Sequence, residues 1–109
     1  MKKLLIIAAL FTNTLAMANG NAVEGRKKVE QVCQSCHGMD GQGINDTYPK
    51  LAGQFADYMV KALSDYKSGA RKNAIMSGFA SSLTEQDMEN VAAYYSGLTN
   101  NKLHDLSIK

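Results

Sequence analysis

The pentapeptide Cys33-Gln34-Ser35-Cys36-His37 constrains this chain more than any other feature of its sequence. Two thiols at this spacing can form thioether bonds to the two vinyl groups of one porphyrin, and the adjacent imidazole can then ligate its iron. The chain has no other cysteine, which excludes a disulfide-dense scaffold and a four-cysteine zinc or iron–sulfur site. The pattern therefore predicts one covalently bound haem c, attached through Cys33 and Cys36, with His37 as an axial ligand.

Two other functions remain open for the same residues. Cys33 and Cys36 could be the redox pair of a thiol–disulfide oxidoreductase, but a thioredoxin-like site requires a βαβ pattern around the cysteines, and the periodicity here is helical. A haem-based ligand sensor would use the same attachment site and leave the sixth iron position open.

The N-terminal residues have the three parts of a secretory signal. Met1–Lys3 is positively charged, Leu4–Phe11 is an apolar run, and Ala16–Ala18 has the small-x-small pattern of a cleavage site. We interpret residues 1–18 as a cleaved signal peptide, which predicts a periplasmic location for residues 19–109. An uncleaved membrane anchor is the alternative, but the apolar run is too short to span a bilayer core of about 30 Å.

Residues 19–109 are predicted to form one domain, because they contain no linker or repeat. Their charge and composition exclude some classes of function. Loss of Lys2 and Lys3 from the 12 basic residues leaves ten, against 10 acidic ones. A neutral domain without an arginine cluster has no electrostatic footprint for nucleic acid. Its apolar stretches are also too short for a membrane span.

Helical periodicity and capping residues predict a small all-α fold of three main helices and long loops around one haem. Such a chain buries only about 60–65% of its unfolded surface, so we expect a fold this rich in loops to need a cofactor or a covalent staple. The first predicted helix has Asn19 or Asn21 as its cap, Gly69 ends the second, and a Thr84–Asp87 capping box begins the third. The three helices are predicted over 22–33, 54–68 and 85–96, with irregular chain over 38–48 and 70–83.

Several positions outside the pentapeptide resemble the class I c-type cytochromes, specifically the short, single-haem bacterial type. Gly25 matches the small residue at which the family's first helix crosses the last, and Val91 and Tyr94 match the crossing residues of that last helix. Pro49 lies twelve residues after His37, where the family's proline carbonyl accepts the hydrogen of the histidine ring. Leu51 matches a haem-packing position. The resemblance extends over essentially all of residues 19–109.

Methionine is the expected sixth ligand, because a thioether raises the reduction potential and fills the iron site. Met39 is too close to His37 to reach the opposite haem face, and Met59 and Met88 lie in helical patterns that explain them as packing residues. Met76 lies in a segment predicted to be irregular and also matches the family's distal methionine. His104, in the polar tail, is expected at the surface. The aromatic residues are expected to pack in the core and haem pocket: Phe55, Tyr58, Tyr66, Phe79, Tyr94 and Tyr95.

The resemblance implies a one-electron carrier of a respiratory chain rather than an enzyme. It implies a quinol-oxidising membrane complex as the electron donor and a haem-copper terminal oxidase or a peroxidase as the acceptor. We expect the protein to be a monomer. The approach from Tyr66 to Met76 lacks the extended loop of mitochondrial relatives, so the partner surface cannot be transferred from them.

Overall fold

All regular structure in the computed structural model is helical over residues 20–98, the part of the chain that it describes. The predicted signal peptide, Asn19 and His104 lie outside these residues. Helix α1 (Ala22–Lys28) continues through a π-helical segment (Val29–Cys33) into α2 (Gln34–His37). Three further helices follow: α3 (Ala56–Ser68), α4 (Ala74–Ala80) and α5 (Glu85–Ser96). The predicted all-α fold is confirmed.

The first helical region extends further than predicted. It passes Cys33 through the wider π-helical turn, in which the N–H of Gln34 bonds to the carbonyl of Val29. It ends at Gly38, whose φ of 81° suits glycine and whose N–H bonds to the carbonyl of Gln34. His37 therefore lies at the C-terminal end of a helix rather than in a loop.

The prediction of irregular chain over 70–83 is wrong, because α4 lies within it. The side chain of Asn73 caps this helix by accepting a hydrogen bond of 3.0 Å from the N–H of Met76. The helix has only seven residues, too few to show a helical period in the sequence. Met76 is thus held on a capped helix and not on a free loop.

The predicted capping residues are confirmed, although α3 begins at Ala56 rather than at residue 54. The Asn21 side chain accepts from the N–H groups of Val23 and Glu24 at the start of α1. Gly69 adopts the left-handed conformation after α3, with φ of 90°. Both hydrogen bonds of the Thr84–Asp87 capping box are present at the start of α5.

Helices α1 and α5 cross in close contact at Gly25, as the resemblance implied. A Cβ at this position would overlap the carbonyl of Asn90 and lie 3.1 Å from the Cβ of Tyr94. The Asn90 side chain reinforces the crossing, because its Oδ1 accepts from the N–H of Asn21 over 2.8 Å and from Nε2 of Gln86 over 2.9 Å. The nearest atoms to Gly25 belong to Asn90 and to the predicted crossing residue Tyr94, while Val91 is buried in the core.

A small hydrophobic core lies beside this crossing and unites α3, α5 and the π-helical segment. Cys33 and Leu51 pack against it, so the core borders the region of the predicted haem site. No helix within residues 20–98 has the length and apolarity needed to cross a membrane. The buried members of the core are Val29, Met59, Val91, Ala92 and Tyr95.

Candidate functional site

His37 is buried, with 7% of its surface exposed, and its ring is held by one hydrogen bond. The Nδ1 atom lies 3.0 Å from the carbonyl oxygen of Pro49, which confirms the predicted contact. A carbonyl can only accept, so Nδ1 donates and the hydrogen resides on that nitrogen. Nε2 consequently carries a lone pair that is available to a metal ion.

The loop after His37 folds back on the helix end through backbone hydrogen bonds. The carbonyls of His37 and Cys36 accept from the N–H groups of Gly43 and Ile44 over 2.8 and 2.9 Å. Further along, the carbonyl of Gly41 accepts from the N–H of Leu51 over 2.7 Å. Gly41 has φ of 69°, and a Cβ there would lie 2.7 Å from the nitrogen of Ala52, so this close approach requires glycine. These bonds bring Pro49 back to His37.

Two tyrosine hydroxyls on α5 fix the backbone that follows His37. Tyr95 donates to the carbonyl of Gly38 over 2.9 Å, and Tyr94 donates to the carbonyl of Met39 over 2.8 Å. The sequence predicts packing roles for both side chains, with Tyr94 also at the helix crossing, and does not predict these hydrogen bonds. These bonds join residues that are 57 and 55 positions apart, so no local pattern in the sequence indicates them.

Two cavities of about 190 and 200 Å³ meet at the predicted site and share part of their lining. Three of the four predicted site residues, Cys33, His37 and Met76, line both cavities. Cys36 lines the first cavity. The structure therefore brings all four predicted residues together, from two segments of the chain: the continuous helical stretch that ends at His37, and α4. The complete set of shared lining residues is Cys33, His37, Pro49, Leu63, Tyr66 and Met76.

The donor set and the walls of these cavities suit an iron porphyrin. An imidazole lone pair and a thioether are the axial donors of electron-transfer haems, and two thiols are available for covalent attachment. No aspartate or glutamate lines either cavity. The mainly apolar surroundings match the flat hydrophobic face of a macrocycle.

The four methionines within residues 20–98 have different surroundings. Met76 lines both cavities, whereas Met59 lines only the second and is 5% exposed within the core. Met88 is 2% exposed and lines neither cavity, and Met39 packs against the core. Packing roles for Met59 and Met88 agree with the sequence analysis.

The environment of Cys33 does not favour thiol redox chemistry. Burial raises the pKa of the Cys33 thiol to about 11, and the nearby Lys28 ammonium only partly opposes this effect. Reactive cysteines instead have a lowered pKa, because the thiolate is the nucleophile.

Most of the aromatic residues pack where they were expected. Tyr58, Tyr66, Phe79 and Tyr95 line one or both cavities. Tyr58 and Phe79 do so with 49% and 41% of their surface exposed, whereas Phe55 is 75% exposed, lines neither cavity and contradicts the prediction. It lies at the N-cap of α3 in extended backbone, outside the helical periodicity that would have directed it inward.

The chain is similar in sequence to a protein family and to several known proteins. The family model described as Cytochrome c matches residues 22–99. Cytochrome c4 of Pseudomonas aeruginosa is 40% identical over 97 residues, covering 87% of this chain and 48% of that protein. Cytochrome c-554(548) of Halomonas halodenitrificans is 41% identical over 80 residues, covering 71% of this chain and 95% of that protein.

A solved structure supports the same relationship. The cytochrome c4 structure of Acidithiobacillus ferrooxidans superposes with a TM-score of 0.66 at 36% identity, covering 74% of this chain and 51% of that one. The chain thus spans about half the length of the cytochrome c4 proteins that it matches, and nearly the full length of the shorter c-554(548) protein.

Proposed function

Because the chain belongs to the cytochrome c family, an electron-carrier family whose cofactor is covalently bound haem c, we propose that it is a one-electron carrier with one haem. Cys33 and Cys36 hold the haem by thioether bonds, and His37 and Met76 are its axial ligands. When bound, the haem supplies an iron that cycles between the ferrous and ferric states. A single Cys-x-x-Cys-His motif supports a count of one haem.

The observation that carries this proposal is the convergence of Cys33, His37 and Met76 on the two cavities. A carrier needs both axial positions filled, since an open position favours binding of small ligands over electron transfer. Histidine from α2 and methionine from α4 supply the two donors from separate helices.

The surrounding residues hold the ligands and exclude water. The Pro49 carbonyl keeps the hydrogen of His37 on Nδ1, which leaves Nε2 as the donor and makes the imidazole more electron-rich. The Asn73 cap fixes the helix turn that carries Met76. Apolar side chains such as Leu63 and Leu51 keep the local polarity low, which influences the reduction potential.

We further propose that residues 1–18 direct export and are removed, so that residues 19–109 function in the periplasm. The electron donor is then a quinol-oxidising membrane complex, and the acceptor is a haem-copper terminal oxidase or a peroxidase. The protein acts as a monomer and turns over no substrate of its own.

Intact-mass measurement and a visible spectrum of the exported protein test this function. We expect the mass of residues 19–109 plus one haem, a reversible ferrous–ferric change, and no rapid binding of carbon monoxide to the reduced protein at neutral pH. A protein without haem that has two titratable thiols would instead be a thiol–disulfide oxidoreductase. A haem protein that binds carbon monoxide at once would be a ligand sensor.

A further inference from the structure

Helix α4, which carries Met76, makes few polar contacts with the rest of the molecule. It has seven residues, and an isolated helix shorter than about 12 residues is marginal in water. Much of its surface is exposed, including Ile75 at 62% and Phe79 at 41%. Within residues 20–98, the hydrogen bonds of residues 74–80 all lie inside the segment 73–83. The position of α4 therefore depends on how the chain at its C-terminal end is held.

A lysine on α3 holds that end of the chain. Nζ of Lys67, in the last turn of α3, donates a hydrogen bond of 2.5 Å to the carbonyl of Leu83. Leu83 is 2% exposed and directly precedes Thr84, the N-cap of α5. Among the described residues this is the one hydrogen bond between α3 and the segment 74–84. The ammonium thus ties α3 to the connection between α4 and α5.

The elements that this bond joins form one wall of the proposed haem site. Leu83 and Met76 line the first cavity, and Tyr66, the residue before Lys67, lines both cavities. Lys67 itself lines neither cavity. Because α4 packs chiefly against α3, separation of these two helices would withdraw Met76 from the site.

We propose that Lys67 is a positioning residue that holds α4 against α3 and so keeps Met76 on the haem iron. This inference rests on the proposed function. A hydrogen bond from a charged donor is stronger than one from a neutral donor, and local opening of α4 must break it. The open fraction of molecules sets how tightly another ligand binds at the sixth position, because apparent affinity scales with the population of the competent state.

Imidazole binding to the ferric, haem-loaded protein measures that open fraction, because imidazole occupies the sixth position only after Met76 has left it. The test variant is Lys67→Met, which keeps an unbranched side chain and removes the donor. The matched control is Lys72→Met. Lys72 is an exposed lysine close to α4 whose side chain makes no hydrogen bond or ion pair within residues 20–98. Lys67→Arg retains a charged donor.

We expect Lys67→Met to bind imidazole about tenfold more tightly than the wild type. Loss of a hydrogen bond to a charged group changes an equilibrium by about tenfold or more, and the exposure of Lys67 favours the lower figure. Lys72→Met should bind as the wild type does, and Lys67→Arg should remain closer to the wild type than to Lys67→Met.

Urea denaturation gives a second measurement of the same opening. The sulfur-to-iron charge-transfer band of Lys67→Met should disappear at a lower urea concentration than its helical circular dichroism signal, because α4 opens before the rest of the domain unfolds. The gap between the two transitions should be wider than in the wild type and in Lys72→Met.

Equal imidazole affinity of Lys67→Met and the wild type would overturn this inference, and so would an equal increase in Lys72→Met or Lys67→Arg. If Lys67→Met yields too little haem-loaded protein, Lys67→Gln and Lys72→Gln are compared in the same way, with the same expected difference. A wild-type protein that contains haem but has no charge-transfer band would overturn the ligation by Met76. Absence of haem from the wild-type protein would overturn the proposed function itself.

Discussion

The hydroxyl of Tyr95 donates a hydrogen bond of 2.9 Å to the carbonyl oxygen of Gly38, the residue that follows His37. Tyr95 is completely buried in the core. Burial raises the pKa of its hydroxyl, with smaller contributions from Cys33 and other neighbours, so the side chain stays a neutral donor at physiological pH. Helix α5 thus controls the position of the backbone beside the proposed axial ligand.

Tyr95→Phe should lower the free energy of unfolding by about 1–3 kcal/mol, because it leaves the Gly38 carbonyl without its partner. Urea denaturation of the purified protein measures this difference. Tyr48→Phe is a comparison for the loss of a hydroxyl at the site, because Tyr48 lies edge-on to His37 and lines the first cavity. Equal stability of the Tyr95 variant and wild type would show that the bond contributes nothing.

Gly25→Ala should destabilise the protein by about 1–3 kcal/mol, because the added Cβ overlaps the Asn90 carbonyl and must separate α1 from α5. Gly78→Ala makes the same change in α4, where a Cβ meets nothing within 4 Å. That variant should gain about 0.5–1 kcal/mol from its higher helix propensity. Thermal melts of both variants check the prediction, and a melting temperature for Gly25→Ala at or above the wild-type value would contradict it.

Met76→Ala should open the sixth iron position. We expect loss of the sulfur-to-iron charge-transfer band of the oxidised protein, a lower reduction potential, and carbon monoxide binding to the ferrous form. Met88→Ala should leave all three unchanged, because Met88 lines neither cavity. Met59→Ala is the stricter comparison, because Met59 borders the second cavity. Loss of the band in the Met59 variant alone would transfer the ligand assignment to Met59.

Asp87→Asn should destabilise the protein by about 1 kcal/mol at neutral pH by weakening the capping box. The backbone N–H of Thr84 is the main cause that lowers the pKa of Asp87 below its usual 3.8, with a smaller contribution from Lys28. A lowered pKa contributes stability above the usual value, and this contribution disappears as the pH falls through the folded-state pKa.

The difference in free energy of unfolding between wild type and Asp87→Asn should therefore be smaller below about pH 3 than at about pH 7. Urea denaturation at the two pH values measures it. Glu85→Gln, a neighbouring acid that makes no capping bond within the described residues, is the control. A difference that stays constant with pH would contradict the role of the Asp87 charge.

Local signals in the sequence were sufficient to predict most of the helices and their ends. The Thr84–Asp87 box and Gly69 predicted helix ends because capping depends on neighbouring residues. Asn73 gave the same kind of signal for α4, but the helix is too short for periodicity to support it. The π-helical turn before Gln34 has no recognisable sequence signal, and the extent of the first helix was predicted wrongly for that reason.

Site contacts could be predicted from the sequence where the family has a fixed spacing between the two residues. Contacts between segments that are distant in the sequence could not be predicted. The bond between His37 and Pro49 follows from a spacing of twelve residues in a recognised pattern. The hydrogen bonds of the tyrosine hydroxyls of α5 and the bond from Lys67 to Leu83 depend on how separate helices pack. Such contacts are set by tertiary structure, so a single sequence does not specify them.

The hydrogen bond between Asn21 and Asn90 joins residues that are 69 positions apart and so closes nearly the whole described chain into one loop. The entropy lost in closing a loop grows with its length, so docking of α1 on α5 is among the costliest steps in folding. Because this contact is non-local, it raises the contact order of an otherwise helical domain and slows its folding. The Gly25 packing and the Lys28–Asp87 ion pair join the same two helices, so we expect the two ends of the described domain to unfold together rather than to fray independently.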